Sequence, residues 1–193
     1  MGVSGFRVIF LSLMFRHGRT EYLVLRRTIA QRGALRPILL VAGIGIWALT
    51  LIAVLVWLPY PLAFLIPLIV IAATFEAIRP LHFGAERIGR YLQAFYEEAG
   101  DPDHPVRDTP SWERVAMRFG KVPGVGGHPL FVPIFLLALA ANYMAMMVSG
   151  PRAIDTVVMG VAHAIFGGWL FAAHRAMKTQ RDIELDRMRQ LAK

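Results

Sequence analysis

The chain has 193 residues, 56% hydrophobic and only 18% charged, with no cysteine and a formal net charge of +8. Soluble proteins hold about 45–50% apolar and about 25% charged residues, and a domain of this size cannot hide the excess inside itself. Disorder, a disulfide scaffold, thiolate metal sites and a cysteine nucleophile are excluded, which leaves a membrane protein.

Residues 1–36 form a basic segment. Phe6 to Phe15 is apolar apart from Arg7 and Ser12, too short to span a bilayer, and Arg16-His17-Gly18-Arg19 follows it. No small-residue cleavage pattern precedes these arginines, which argues against a signal peptide, and position 6 lacks the Ser or Thr of a myristoylation signal. The stretch reads as an interfacial helix, with Phe and Leu in the headgroup zone and arginines towards anionic lipid. Glu21 to Arg32 continues as helix, with Gly33 as its expected C-cap.

Between Arg36 and Glu76 stand 39 consecutive uncharged residues, enough for two crossings of about 20 residues each. The break belongs at Trp57-Leu58-Pro59-Tyr60-Pro61, where two prolines stop a helix and Trp57 and Tyr60 suit the headgroup level. Residues 37–79 are therefore a first transmembrane hairpin, crossing at roughly 37–58 and 61–79, with Pro67 a candidate kink.

Residues 80–129 form a loop with its own pattern. Leu81, Ala85, Ile88, Leu92, Phe95 and Ala99 recur at steps of four and three, an amphipathic helix closed by Gly100. Its other face carries Glu86, Arg87, Arg90, Gln93 and Glu97. Thr109-Pro110 opens a short second helix containing Trp112-Glu113, read as a docking contact, and Gly120 ends it. Residues 130–173 make the second hairpin, crossing at 130–148 and 156–173 around the turn Ser149 to Arg152, with Pro133 a candidate kink. The tail 174–193 is a charged helix extending the last crossing into water, with Lys178 and Asp182 spaced for an ion pair.

Lys and Arg sort by side. Seven precede the first crossing, seven lie from Arg79 to Lys121 and six follow from Arg175, so only Arg152 of the 21 is left for the opposite face. The positive-inside rule makes the rich side cytoplasmic, with both termini there, in a plasma or inner membrane. This orientation signal accounts for the basic charge, so nucleic-acid binding is not inferred. The expected fold is all-α: a polytopic membrane protein with four transmembrane helices in two hairpins, an N-terminal interfacial helix and a helical cytoplasmic loop.

Three constellations deserve weighing as sites. Gly160, Ala164, Gly168 and Ala172 repeat every four residues, as do Ala141, Ala145 and Ser149. Such stripes let helices approach closely in lipid, and the expectation is a tightly packed second hairpin, the alternative a face for a partner helix. His163 lies 12 residues before Arg175, and Asn142 12 residues after Leu130, so both sit about 18 Å from the cytoplasmic boundary. An Asn142–His163 hydrogen bond would satisfy both; the alternative is axial ligation of haem or a chlorophyll-like ring by His163. Glu76, the one carboxylate within a crossing, can pair with Arg79, His174 or Arg175, or join His82, Glu86 and His174 in a metal cluster. The paired Glu-x-x-His pattern of di-iron bundles is missing, as are a P-loop, a dinucleotide fingerprint, His-Glu-x-x-His and Gly-x-Ser-x-Gly.

The function expected is non-catalytic. The chain reads as a small scaffold or accessory subunit of a larger membrane complex, partnered by the bilayer with its anionic lipid and by other membrane helices or itself. No cofactor is expected. The alternative is a tetrapyrrole- or metal-binding redox protein using His163 or the Glu76/His82/Glu86/His174 group.

Overall fold

In the computed structural model the described residues are 3–58, 60–98 and 128–191, with side chains described at 20–58, 60–96, 128–180 and 182–191. Every element among them is helical: α1 (Val3–Trp57), a 3-10 turn (Pro61–Phe64), α2 (Leu65–Leu92), a π-helical turn (Gln93–Glu98), α3 (Val132–Val148) and α4 (Ala153–Leu191). Three stretches are long and apolar enough to cross a membrane: Thr20–Trp57, Pro61–Tyr96 and Ala153–Leu191. α3 is a shorter apolar helix of 17 residues. The expected second loop helix around Thr109 to Gly120, with Trp112-Glu113, and the cap at Gly100 lie outside the described residues.

α1 ends at Trp57 and helix resumes as a 3-10 turn at Pro61, the position of the paired prolines. Elsewhere the breakers do not break. Gly33 was expected to end a helix, yet α1 runs through both Gly33 and Pro37. A glycine inside a helix costs only about 1 kcal/mol relative to alanine, and Pro37 removes a single bond, the one to the carbonyl of Gly33. α2 likewise continues through Pro80. Its buried residues Leu68, Ile71, Phe75, Ile78, His82 and Ala85 keep alternating steps of three and four across the proline, so the packing that holds the helix is uninterrupted. Pro67 and Pro133, by contrast, stand in the first turns of α2 and α3, where an N–H is not needed, and neither is a mid-helix kink.

The chain divides into two compact units. One comprises Gly33–Phe83 and Gly124–Gln180 and contains the apolar core. All four helices contribute to it: Leu40 from α1, Phe75 from α2, Phe135 from α3 and Phe166 and Leu170 from α4. The rings of Phe75 and Phe135 meet edge to face with centroids 5.3 Å apart, and Phe75 meets Phe166 the same way at 6.2 Å. A smaller cluster joins Val54, Phe64, Met146 and Met159. Gly43 of α1 is buried against Thr74 of α2, so closely that no side chain would fit between them. α3 is entered through a turn in which the Phe131 N–H donates to the His128 carbonyl (2.8 Å) and Phe131 takes the left-handed conformation, φ 52°. α4 starts at a cap supplied by Asp155: the backbone N–H of Arg152 and its Nε both donate to Asp155 Oδ2 at 3.1 Å.

The other unit comprises Met1–Arg32, Gly84–Pro123 and Arg181–Lys193. Arg90, expected on the polar face of the loop helix, is buried because Glu86 and Glu184 both accept from it, and Arg87 also donates to Glu184. The π-helical turn adds a residue per turn, which brings Leu92, Gln93 and Ala94 inward consecutively and leaves Phe95 half-buried. Lys178 and Asp182, spaced for an ion pair, are both exposed.

Candidate functional site

His163 and Asn142 sit on the buried faces of α4 and α3, at 7% and 0% exposure. On α4 that face is Asp155, Met159, His163, Phe166, Leu170 and Ala173, a run of fours and threes that places His163 inward among the core residues. The structure brings the two polar groups together, with Asn142 Nδ2 3.2 Å from His163 Nε2. Their protonation pattern follows from their other partners. His163 Nδ1 lies 2.7 Å from the Met159 carbonyl, which can only accept, so Nδ1 carries the proton and Nε2 accepts from Asn142. Asn142 Nδ2 also donates to the Phe64 carbonyl at 3.1 Å, which fixes the amide with nitrogen towards both acceptors. Phe64, missed in the sequence reading, is the last residue of the 3-10 turn before α2. One amide thus ties α3 to α4 and to the entrance of α2. Asn142 Oδ1 is buried with no hydrogen-bond partner among the described residues.

Small residues are arranged differently from the expectation. On α4, Ala164, Gly168 and Ala172 are exposed, and a Cβ built on Gly168 would meet nothing within 4 Å. Gly160 is half-buried, and a Cβ built there would lie 4.0 Å from the Tyr143 hydroxyl. The glycine of α4 that faces α3 is instead Gly167, where an added Cβ would stand in ordinary van der Waals contact with Leu139, at 3.6 Å. On α3, Ala141 is exposed and Ala145 and Ser149 half-buried, Ser149 serving as the helix C-cap with its hydroxyl on the Met146 carbonyl. The stripe is not the hairpin seam. Ala164 follows His163 by one residue, a turn of about 100°, and the inward face belongs to the larger residues that fill the space among the helices.

The four residues named for a metal cluster take separate partners. Glu76 accepts from Arg79 (3.0 and 3.1 Å) and from the indole of Trp169 (2.6 Å), and the Arg79 guanidinium stacks over that indole at 5.0 Å. His82 accepts from Arg36 at Nδ1 (2.8 Å). His174 Nδ1 lies 2.6 Å from His128 Nε2. Because His128 Nδ1 accepts from the Leu130 N–H, it is His128 Nε2 that donates to His174. Glu86 accepts from Arg90. Among the described residues no three His, Asp or Glu side chains converge as a metal site; of the two readings of Glu76, the structure shows the pairing with Arg79, and the other three residues of the alternative cluster sit in an ion pair, an arginine–histidine bond and a histidine pair. The indole of Trp169 and the imidazole of His128 carried no spacing signal, being 93 and 46 residues from their partners.

Outside the apolar segments, electrostatics follow the same logic of local pairing. The hydrogen bond from Arg152 holds the Asp155 carboxyl below the usual range, against the effect of its burial. Burial and the negative charge of Glu21, which accepts from both hydroxyls, push Tyr91 and Tyr96 up. Comparisons with protein-family models, curated proteins and solved structures found no match.

Proposed function

We propose that the chain crosses a bilayer four times, as two hairpins with both termini in the cytoplasm, and serves as a non-catalytic scaffold or accessory subunit of a membrane complex. α3 supports a crossing despite its 17 residues, because Val132 to Val148 carries no charge and about 25 Å of helix meets about 30 Å of hydrocarbon with slight thinning. The distribution of Lys and Arg supports the orientation. The N-terminal part of α1 serves as the basic interfacial segment of this arrangement.

The observation that carries the functional reading is the Asn142–His163 latch. Both ring nitrogens of the one histidine buried at mid-depth are engaged, Nδ1 by Met159 and Nε2 by Asn142. A macrocycle iron or magnesium would need the same Nε2 lone pair that Asn142 holds. The latch therefore supports a packing role, and the outward stripe Ala164, Gly168 and Ala172 supports a face for another helix, from a partner or a second copy. Purification from native membranes in mild detergent tests this. We expect a colourless protein with a stoichiometric partner or self-associated, and Gly168→Leu to release the partner while thermal stability is unchanged. A Soret or chlorophyll band lost with His163→Gln, or a monomer that co-purifies with nothing, would refute it.

A further inference from the structure

α2 and α4 enclose a second feature of the core unit, a groove of about 480 Å³ on its outer surface. Its floor is Leu68 and Phe166, both nearly inaccessible, and its rims include Ile69 and Ile165, both exposed. Along α2 it runs from Leu65 to Glu76, about 16 Å of helix, and every lining residue except Glu76 is apolar or, like Trp169, amphipathic. The trough is thus long, apolar and closed at one end by polar groups. In water such a surface would be a liability; in a bilayer its natural occupant is a hydrocarbon chain.

The polar end decides what kind of molecule carries that chain. Glu76 and Arg79 are partly open, with side-chain exposures of 46% and 34%. Glu76 Oε1 is occupied by Trp169 and Arg79 Nε, while Oε2 accepts, among the described residues, only from Arg79 Nη2. Arg79 Nη1 makes no hydrogen bond among the described residues, and stacking on Trp169 holds the guanidinium in place over the indole. The groove end therefore offers one carboxylate oxygen that can accept further and one guanidinium nitrogen with two donors, at no net charge. An anionic head would meet the carboxylate, and a quaternary ammonium has no N–H to give it. A phosphate beside a primary ammonium matches both groups.

We propose that this groove is a binding site for a phospholipid with a primary-amine head, its acyl chain in the trough, its phosphate on Arg79 and its ammonium on Glu76. The proposal rests on the membrane-spanning reading but not on the accessory role. It is tested with the full chain reconstituted into vesicles of equal phosphatidylethanolamine, phosphatidylcholine and phosphatidylglycerol, then extracted in mild detergent for native mass spectrometry. Two charge-assisted contacts predict phosphatidylethanolamine retained with a preference of roughly tenfold or more over each competitor. Glu76→Gln should erase the preference over phosphatidylcholine. Ala162→Phe, which fills the groove, should abolish retention, whereas Ala164→Phe on the neighbouring exposed face should not. Equal retention of the three lipids, preference for phosphatidylglycerol, an unaffected Glu76→Gln, or a second protein chain found cross-linked in the groove would each overturn it. A chain that fails to float with the vesicles overturns the membrane reading and this site with it, while one that floats and retains lipid indiscriminately overturns this site alone.

Discussion

Gly43→Ala is the sharpest test of how the helices meet. A Cβ at position 43 would stand 2.8 Å from Thr74 Cβ and closer still to that residue's Cγ2 and Oγ1. Rotating Thr74 offers no escape, because its Cβ is fixed to the α2 backbone and its hydroxyl is bonded to the Val70 carbonyl at 2.7 Å. The helices must move apart, and overpacking of this kind costs about 1–3 kcal/mol. Alanine also gains about 1 kcal/mol of helix propensity over glycine, which would mask part of the loss. Gly45 supplies the control: it lies on the same helix, and a Cβ there meets nothing within 4 Å. The difference between Gly43→Ala and Gly45→Ala therefore isolates the steric term, expected at about 1–3 kcal/mol in a reversible denaturation followed by far-UV circular dichroism. Adding Thr74→Gly to Gly43→Ala should recover most of it. Equal stability of the two alanine variants would refute the close approach of α1 and α2.

Three further outcomes are expected. Asn142→Leu and His163→Leu should each destabilise, and the double variant should cost less than their sum by about 0.5–2 kcal/mol in the same assay; strict additivity would dissolve the latch. Tyr91 and Tyr96 should ionise above the ordinary tyrosine range in an ultraviolet titration, and Glu21→Gln should bring them earlier. Since their folded-state pKa values are raised, the stability they contribute is complete below the unfolded value of about 10 and is lost as pH climbs through the folded values. Reporters fused at Met1, inserted at Asp103 and fused at Lys193 should all be cytoplasmic and one at Arg152 external, and an external Asp103 would overturn the four-crossing layout.

What the sequence makes legible here is what depends on nearest neighbours along the chain. The halt at Trp57 to Pro61 comes from two prolines, and the meeting of Asn142 with His163 comes from counting residues at a fixed rise. Continuity through Gly33 and Pro80 was not legible, because the local penalty of a breaker was set against packing by residues far away, as the unbroken α2 seam shows. The direction of the Gly160 to Ala172 stripe was misread for a related reason. A four-residue repeat of small side chains says that close approach is possible on that face, not that the chain's own helices use it. The buried Arg90 is explained by Glu184, 94 residues away, and no periodicity could have paired them. Gly43 left only a weak trace, a glycine inside an apolar crossing, with its partner Thr74 on the next helix.

Helices in lipid gain nothing from burying apolar surface against one another, so their association has to come from close contact and hydrogen bonding. The core unit meets that requirement in three places at once. Gly43 lets α1 close onto the Thr74 side chain of α2, the ring of Phe75 on α2 packs edge to face with Phe135 on α3 and with Phe166 on α4, and Asn142 bonds α3 to α4 and to the turn before α2. Aromatic contacts are worth about 0.5–1.5 kcal/mol each beyond burial, and an interhelical hydrogen bond in a membrane averages about 0.6. No single one of these dominates, but they differ in what they specify. Ring packing tolerates small sliding of one helix along another. The amide does not, because a shift of one residue, about 1.5 Å, would leave His163 Nε2 or the Phe64 carbonyl without its donor. The latch thus fixes the register of α3 along its neighbours, which is a reason for a polar pair to be buried among apolar helices.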